Sequence, residues 1–225
     1  MKALLRYGAA TIVAGALLAS SSTARAQSTL AALVAGGTIT SGDLVFSNFQ
    51  NPTQTGNLNV LLTDIMVVPI LTGGEYGIRF QTALWSLSGA NQNYDIGFSF
   101  EVTTSSHEPI TGNTLSIVGG SDGLGHANLA ETVYDQGNNS LAGELVYINQ
   151  SGTGNNQFVD SATFTGSPQS VILVNKDFAM TTGSDTNAQI FVSHIDQTFV
   201  VPEPSTLALS AMGGLVSLLA LRRRK

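Results

Sequence analysis

The sequence of 225 residues contains no cysteine. A chain without cysteine has no disulfide bond, no thiolate metal site and no cysteine nucleophile. Charged residues are also scarce, at 11% of the chain, whereas glycine occurs 24 times. This composition excludes a charge-rich helical bundle and a highly charged disordered chain. It is typical of an exported β-protein with many turns, and the length suits one domain plus targeting segments.

Basic residues are nearly absent from the middle of the chain. Between residues 27 and 201 only Arg79 and Lys176 are basic, and together with 14 acidic residues they give this part a net charge of −12. A surface this acidic repels nucleic acid, so no nucleic-acid partner is expected. The remaining basic residues lie at the two ends, which suggests that the ends and the middle face different compartments.

The N-terminus has the three parts of a secretory signal peptide. They are a basic start with Lys2 and Arg6, an apolar run over 7–19, and small residues at the cleavage positions Ala24 and Ala26. A helix of 13 residues is about 20 Å long, too short for a bilayer core of roughly 30 Å. We expect signal peptidase to cleave after Ala26 and to leave Gln27 first. The alternative is a buried N-terminal helix.

The C-terminus also has three parts in order. They are the motif Pro202, Glu203 and Pro204, an uncharged apolar stretch over 207–221, and the basic residues Arg222, Arg223, Arg224 and Lys225. The prolines keep the motif extended, outside the predicted transmembrane helix. The basic residues are expected to act as a cytoplasmic stop-transfer signal. Fifteen residues is short for a permanent anchor, which needs about 20. A plain membrane anchor is the alternative.

This C-terminal arrangement resembles the PEP-CTERM sorting signal. The resemblance covers 201–225 and implies a substrate of exosortase, an integral-membrane protease or transpeptidase of Gram-negative bacteria. It implies recognition of Pro202, Glu203 and Pro204, followed by removal of the apolar helix and basic tail. The precursor is then held transiently in the inner membrane with its domain in the periplasm. The mature form is expected at the cell surface or outside the cell, associated with exopolysaccharide or biofilm matrix.

The middle of the chain has the period of β-strands. Apolar residues at Tyr94, Ile96, Phe98, Phe100 and Val102 alternate with polar or small ones, and a similar alternation runs over 76–84. A polar loop joins these two segments, which predicts a hairpin. Further strands are predicted at 43–49, 58–68, 113–118, 127–134, 143–149, 157–164, 170–175 and 188–200. Residues 28–35 fit a short helix or a first strand.

About ten short strands without long amphipathic helices predict an all-β fold, an antiparallel β-sandwich or jelly-roll-like single domain. We divide the chain into a signal peptide at 1–26, an acidic β-sandwich-like domain at 27–201 and a sorting signal at 202–225. The fold is thus expected to be flanked by an N-terminal signal helix and a C-terminal transmembrane helix.

One segment resembles a catalytic motif. Gly119-Gly120-Ser121-Asp122-Gly123 matches the Gly-x-Ser-x-Gly nucleophile elbow, and His194 follows in the chain order of a hydrolase. The intervening acid is supplied by one of three residues: Asp160, Asp177 or Asp185. The elbow requires a helix after the serine, which the sequence does not favour here, and the same residues make an ordinary turn. We therefore predict no catalytic residue and no enzyme, and keep a secreted serine hydrolase at Ser121 as an alternative.

Binding sites are weakly indicated. His107, His126 and His194 lack metal-ligand spacing, so no metal site is assigned. Structural calcium is left open because Asp122 and Asp185 lie in loops rich in oxygen ligands; no other cofactor is expected. Trp85 falls on a polar stripe and is a candidate glycan contact, the alternative being a buried contact.

Together these features predict an exported, exosortase-processed, non-enzymatic surface or extracellular-matrix protein. The alternative is a glycan- or calcium-binding module of the envelope.

Overall fold

The computed structural model describes residues 26–149, 156–167 and 169–202. In chain order the elements are β1 (Ser28–Thr29), α1 (Leu30–Val34), β2 (Ile39–Ser41), β3 (Leu44–Gly56), β4 (Met66–Thr72), β5 (Glu75–Gln81), β6 (Ser86–Ser88), β7 (Asn93–Thr104), β8 (Gly112–Asp122), β9 (His126–Tyr134), β10 (Ser140–Ile148), β11 (Val159–Thr163), β12 (Val171–Thr181) and β13 (Gln189–Val200). The signal peptide predicted at 1–26 lies outside these residues except for Ala26, and so does the transmembrane helix predicted at 207–221.

The strands form two antiparallel sheets. The seven-stranded sheet has the order β1-β4-β5-β13-β8-β11, with β6 paired to β13, and the six-stranded sheet has the order β10-β9-β12-β7-β3-β2. The prediction of an all-β antiparallel sandwich is confirmed, whereas jelly-roll connectivity stays a prediction. Among the described residues, no helix has the length and apolar character needed to span a membrane.

The core lies between the two sheets and contains many aromatic rings. The inward residues of β7 are those of the predicted alternation, from Tyr94 to Val102, and all are buried. Across the core Phe80 of β5 lies 5.1 Å from Phe98, between ring centroids. Burial of this apolar core, in which aliphatic side chains surround the contacting aromatic rings, is the main source of stability available to a chain without disulfides.

The predicted hairpin between 76–84 and 94–103 is wrong. β5 pairs with β4 and β13, whereas β7 pairs with β3 and β12 in the other sheet. The two strands are close along the chain but face each other across the core. The alternation on β7 was identified correctly, whereas that over 76–84 holds only for Ile78, Phe80 and Thr82, since Tyr76 and Leu84 are exposed. Alternation reports burial on one face and does not identify the hydrogen-bonding neighbour.

Most predicted strands are present with shifted bounds, and the segments 58–68 and 28–35 show why. The strand predicted at 58–68 begins only at Met66, because the preceding residues turn, with Leu61 N donating to Asp64 Oδ2 at 3.0 Å. The segment 28–35 contains both predicted alternatives, the short strand β1 and the single helical turn α1. Thr29 caps α1, since its Oγ1 accepts from Ala32 N at 3.2 Å.

Candidate functional site

A polar groove crosses the outer face of the six-stranded sheet, with a volume of about 530 Å³. It is bounded by β3, β7, β12 and the turn between β9 and β10. Its polar lining consists of Asn48, Gln50, Asn51, Ser99, Glu101, Asp135, Gln136, Asn138 and Asn175. Side-chain amides dominate this set. An amide donates and accepts hydrogen bonds from one group, which suits a ligand rich in hydroxyls.

Irregular backbone shapes the groove. The pairing of β3 with β7 shifts register twice, between Ser47 and Gln50 and between Gln50 and Thr53. Asn48 and Asn51 lie at these bulges in the left-handed region, each with a φ of 53°. Asparagine tolerates this conformation better than most residues, and bulges re-aim side chains on a sheet face. The bulges therefore point β3 amides into the groove.

The turn between β9 and β10 supplies the opposite wall. Asn138 has a φ of 63°, and Asp135 Oδ1 accepts from Asn139 N at 2.8 Å. Hydrogen bonds from Asn139 hold the pKa of Asp135 below its usual value, so this carboxylate is charged at neutral pH. With Glu101 it makes the groove acidic. No basic side chain is among the lining residues, so the groove disfavours anionic ligands.

A second polar cluster lies inside the core. Five polar side chains, each at most 5% exposed, meet between the sheets: Asn113, Glu131, Glu144, Lys176 and Gln197. Lys176 Nζ donates to Glu131 Oε2 and, at 2.6 Å, to Gln197 Oε1. Asn113 Nδ2 donates to Glu131 Oε1 and to Glu144 Oε2. The cluster is thus one connected network that joins both sheets.

Glu144 is neutral in this network at physiological pH. Burial raises its pKa to about 9, and the neighbouring Glu131 adds to the shift. Two acceptors of the cluster, Asn113 Oδ1 and Glu144 Oε1, are buried without a hydrogen-bond partner among the described residues. Orphan atoms of this kind are uncommon in native cores.

Sequence reasoning missed this cluster, although a signal was present. Glu131, Glu144 and Lys176 each occupy an inward position of an otherwise apolar alternation on β9, β10 and β12. A charged residue at such a position is unusual and indicates a buried polar network.

The predicted glycan contact Trp85 is in the core instead. Its side chain is 2% exposed and its ring centroid lies 5.0 Å from that of Phe178. The strand alternation that placed it on the polar stripe ends at Gln81, and the following turn reverses the phase. A buried ring offers no face to a sugar, so this prediction is wrong.

Ser121 is not in the setting of a nucleophile elbow. It lies in β8, opposite Ile190 of the antiparallel β13, and its Oγ donates to Asn149 O at 2.6 Å. No helix follows it in the described chain; β9 does. His194 is four residues from Ile190, which corresponds to about 13 Å along β13. The structure does not bring these two residues together.

The two loops considered for calcium are adjacent. Asp122 ends β8, and the Asp185 carboxylate lies against Gly123, the next residue. Both carboxylates already accept backbone hydrogen bonds, Asp122 from Gly123 N at 2.8 Å and Asp185 from Asn187 N at 2.9 Å. Within the described residues no group of three or more acidic or histidine side chains is arranged for a metal ion.

The described domain begins and ends close to the predicted processing points, which stay predictions. Gln27 is exposed and immediately precedes β1, while the predicted cleavage residue Ala24 lies outside the described residues. At the other end Val200 closes β13, and Thr111 N donates to its oxygen at 2.9 Å. Pro202 is exposed two residues later.

The rest of the predicted sorting signal lies outside the described residues: Glu203, Pro204, Arg222, Arg223, Arg224 and Lys225. Residues 200–225 match the model of the PEP-CTERM protein-sorting motif. The chain is a PEP-CTERM protein. It is therefore an exported bacterial protein whose motif implies processing by exosortase. In this PEP-CTERM protein the matched motif begins at the last residue of β13, so the sorting signal follows the folded domain without a linker.

Comparison with other proteins adds little beyond this motif. No curated protein matches the chain in sequence. A structure of the enzymatically active domain of tailspike protein 4 from bacteriophage CBA120 is 12% identical, covers 68% of this chain and 20% of that one, and has a TM-score of 0.28. A glycosylation-associated protein complex from Streptococcus agalactiae is 12% identical, with 59% and 39% covered and a TM-score of 0.26.

A carbohydrate-binding module of the β-sandwich superfamily is 14% identical, with 70% of this chain and 58% of that one covered and a TM-score of 0.26. The PEP-CTERM chain thus spans less than two thirds of each of these structures. Similarity at this level carries no argument about function.

Proposed function

We propose that the mature domain is a non-enzymatic component of the cell surface or extracellular matrix, and that it contacts exopolysaccharide through the polar groove. The amide-rich lining of this groove is the observation that carries the proposal. Uncharged sugar hydroxyls match side-chain amides in hydrogen-bonding capacity, while Glu101 and Asp135 repel anionic polymers. The expected ligand is therefore a neutral polysaccharide.

The route to the surface follows from the two ends of the chain. Signal peptidase releases Gln27, the apolar segment 207–221 holds the precursor in the inner membrane with the domain in the periplasm, and the basic tail stays cytoplasmic. Exosortase then acts at Pro202, Glu203 and Pro204. The strand β13 supports this scheme, because it delivers Val200 to the domain surface immediately before the motif.

The processing proposal is tested by following the C-terminus of the protein in its own cells. Mass spectrometry of the wild type is expected to find a form that starts at Gln27 and lacks 207–225. Glu203→Gln is expected to accumulate in the inner membrane with its tail attached. Glu108→Gln removes a charge from the folded domain and serves as the matched control. Wild-type protein that keeps 207–225 and stays in the inner membrane would establish a plain membrane anchor.

The glycan proposal is tested with exopolysaccharide purified from the producing strain. Gln50→Ala combined with Asn175→Ala removes two groove amides and is expected to weaken binding at least about tenfold, since each lost hydrogen bond contributes about 1 kcal/mol. Gln189→Ala makes the same kind of change at an exposed position on the other sheet. Equal binding by both variants would contradict a glycan site in the groove.

A calcium-binding module is the second candidate, and it is supported by the position of the Asp185 carboxylate against Gly123, the residue that follows Asp122. Binding to the folded state alone raises the melting temperature as the ion concentration rises. We expect Ca²⁺, but not Mg²⁺, to raise the melting temperature of the wild type and not that of Asp185→Asn. No shift with either ion would remove this candidate.

A further inference from the structure

Lys176 has an unusual position for a lysine. It is the sole lysine between Lys2 and Lys225, and its side chain is 1% exposed. The ammonium is held between Glu131 of the neighbouring strand β9 and Gln197 of β13 in the opposite sheet. A lone surface lysine would be solvated at no cost, whereas burying an ion pair costs solvation that the attraction only partly offsets.

The lysine nitrogen touches an amide carbonyl. Nζ lies 2.6 Å from Gln197 Oε1. Because a C=O bond is about 1.2 Å long, the carbonyl carbon Cδ is at most about 3.8 Å from Nζ. Reacting atoms in near-attack arrangements are about 3–3.5 Å apart. The amide nitrogen Nε2 is turned away toward Thr114 O, at 3.5 Å, which leaves the carbonyl side facing the lysine.

We propose that Lys176 and Gln197 become joined by a side-chain amide bond that links the two sheets covalently. The site is a self-modification site within the core, and it is independent of the function proposed for the groove. It takes no outside substrate, since the nucleophile, the electrophile and the acid–base group all belong to this chain.

The reaction balances within the cluster. Glu131 takes a proton from the Lys176 ammonium, and the neutral amine attacks Gln197 Cδ. The Nζ–Cδ bond forms, the Cδ–Nε2 bond breaks, and a proton moves from Nζ to Nε2, so that ammonia leaves. The products are an amide, a neutral Glu131 and ammonia; nothing is oxidised or reduced. The ion pair is consumed, which relieves the cost of two charges in the core.

The surroundings favour this reaction. Asn113 Nδ2 holds Glu131 by its other oxygen and so aims Oε2 at the lysine. Exclusion of water makes proton transfer within the ion pair easier than in solution, because neither charge is solvated. The unpartnered oxygens Asn113 Oδ1 and Glu144 Oε1 lie in the same cluster. They offer acceptors for the ammonia that departs.

The bond would strengthen the strand that leads to the sorting motif. Gln197 lies three residues before Val200, and β12, which carries Lys176, is an inner strand of the other sheet. In the membrane-held precursor any pulling force on the C-terminal end passes through β13. A covalent link at Gln197 passes that force to the second sheet, in a chain that has no cysteine for a disulfide.

The test is tryptic digestion of the denatured, mature protein followed by mass spectrometry. Arg79 and Lys176 are the only tryptic sites between 27 and 201. Acylated Lys176 is not a trypsin site, so we expect one fragment from Phe80 to the C-terminus, lighter than its sequence mass by one ammonia. This fragment does not contain the N-terminal Gln27. Gln27 itself loses ammonia when it cyclises, and that loss has the same mass as the one expected here. Cleavage at acidic residues then separates Gln197 from Asn113.

Two variants test whether the loss of ammonia requires both side chains. Lys176→Arg keeps the positive charge but is not a nucleophile, and it is expected to restore both cleavage after residue 176 and the full fragment mass. Gln197→Leu keeps the volume without a carbonyl and is expected to do the same. Cleavage after Lys176 in the wild type, at full mass, would overturn the proposal. Loss of water instead of ammonia would place the bond at Glu131, and a peptide joined to Asn113 would likewise overturn the assignment to Gln197.

Discussion

Glu131 and Glu144 lie directly opposite each other on β9 and β10, with both side chains turned into the core. Both carboxyl groups accept from the same Asn113 Nδ2. Two carboxylates in one buried site cannot both be ionised without a large energetic cost. Lys176 neutralises Glu131, and Glu144 keeps its proton.

The raised pKa of Glu144 predicts that the domain loses stability as pH rises. Below about 4.5 this carboxyl is protonated in the folded and the unfolded chain, so its contribution is fully present. Above that value the unfolded chain ionises while the folded one keeps its proton up to about pH 9, so the free energy of unfolding falls across this window. Melting temperatures measured between pH 5 and 9 are expected to decrease.

Glu144→Gln is the variant that isolates this effect. The amide has nearly the same shape and does not ionise, so the decrease should flatten and stability at pH 8 should rise. Asp135→Asn is the control, because the pKa of the exposed Asp135 is lowered and its titration affects only acidic solutions. A Glu144→Gln protein with the wild-type pH dependence would contradict this assignment.

Trp85 is predicted to matter for stability and not for ligand binding. Trp85→Ala leaves a cavity beside Phe178 and is expected to lower the free energy of unfolding by about 3–5 kcal/mol. Trp85→Phe refills much of the space and should cost less. Polysaccharide binding by the folded Trp85→Phe protein should equal that of the wild type. Denaturant unfolding measures the effect on stability, and a binding assay measures the effect on the ligand. Weaker binding by the folded Trp85→Phe protein would indicate that Trp85 contacts the glycan.

Gly77 is required where β5 approaches β13. A Cβ at this position would lie 1.9 Å from the Gln197 backbone oxygen. Gly77→Ala must therefore displace one strand, and we expect it to cost about 3 kcal/mol or more. At Gly143 a Cβ would be 3.8 Å from its nearest neighbour, so Gly143→Ala should change stability by less than about 0.5 kcal/mol. Similar thermal unfolding of both variants would show that β5 and β13 are less tightly paired than described.

The charge on Arg79 is predicted to lower the pKa of His194. Burial is the main cause of the lowered pKa, Arg79 contributes to it, and Asp196 opposes it. In the wild type Arg79 donates two hydrogen bonds, of 2.7 and 2.8 Å, to the Asp196 carboxylate. Arg79→Gln removes a positive charge and frees the carboxylate, so the pKa of His194 should rise in an NMR titration. Arg79→Lys keeps the charge and should change the pKa of His194 little. A lower His194 pKa in Arg79→Gln would contradict the effect assigned to the Arg79 charge.

Local sequence patterns predicted individual strands better than their partners. The alternation on β7 identified five buried residues correctly, because period two depends only on which face is apolar. The same reasoning paired β7 with β5 and failed. A strand can hydrogen-bond to a strand that is far away in the sequence, and local patterns do not show which one. The partner β13 of β5, for example, lies more than 100 residues further along the chain.

The sequence by itself determined that this protein is exported. The PEP-CTERM motif is a short, contiguous stretch of sequence, so no tertiary contact is needed to identify it. The sequence also determined the β class, because alternation is local. Only the tertiary structure decided that Trp85 is buried, that scattered asparagines line one groove, and that Lys176 meets Gln197. Those relations join residues from different strands, and the packing of two sheets, not the order of the chain, brings them together.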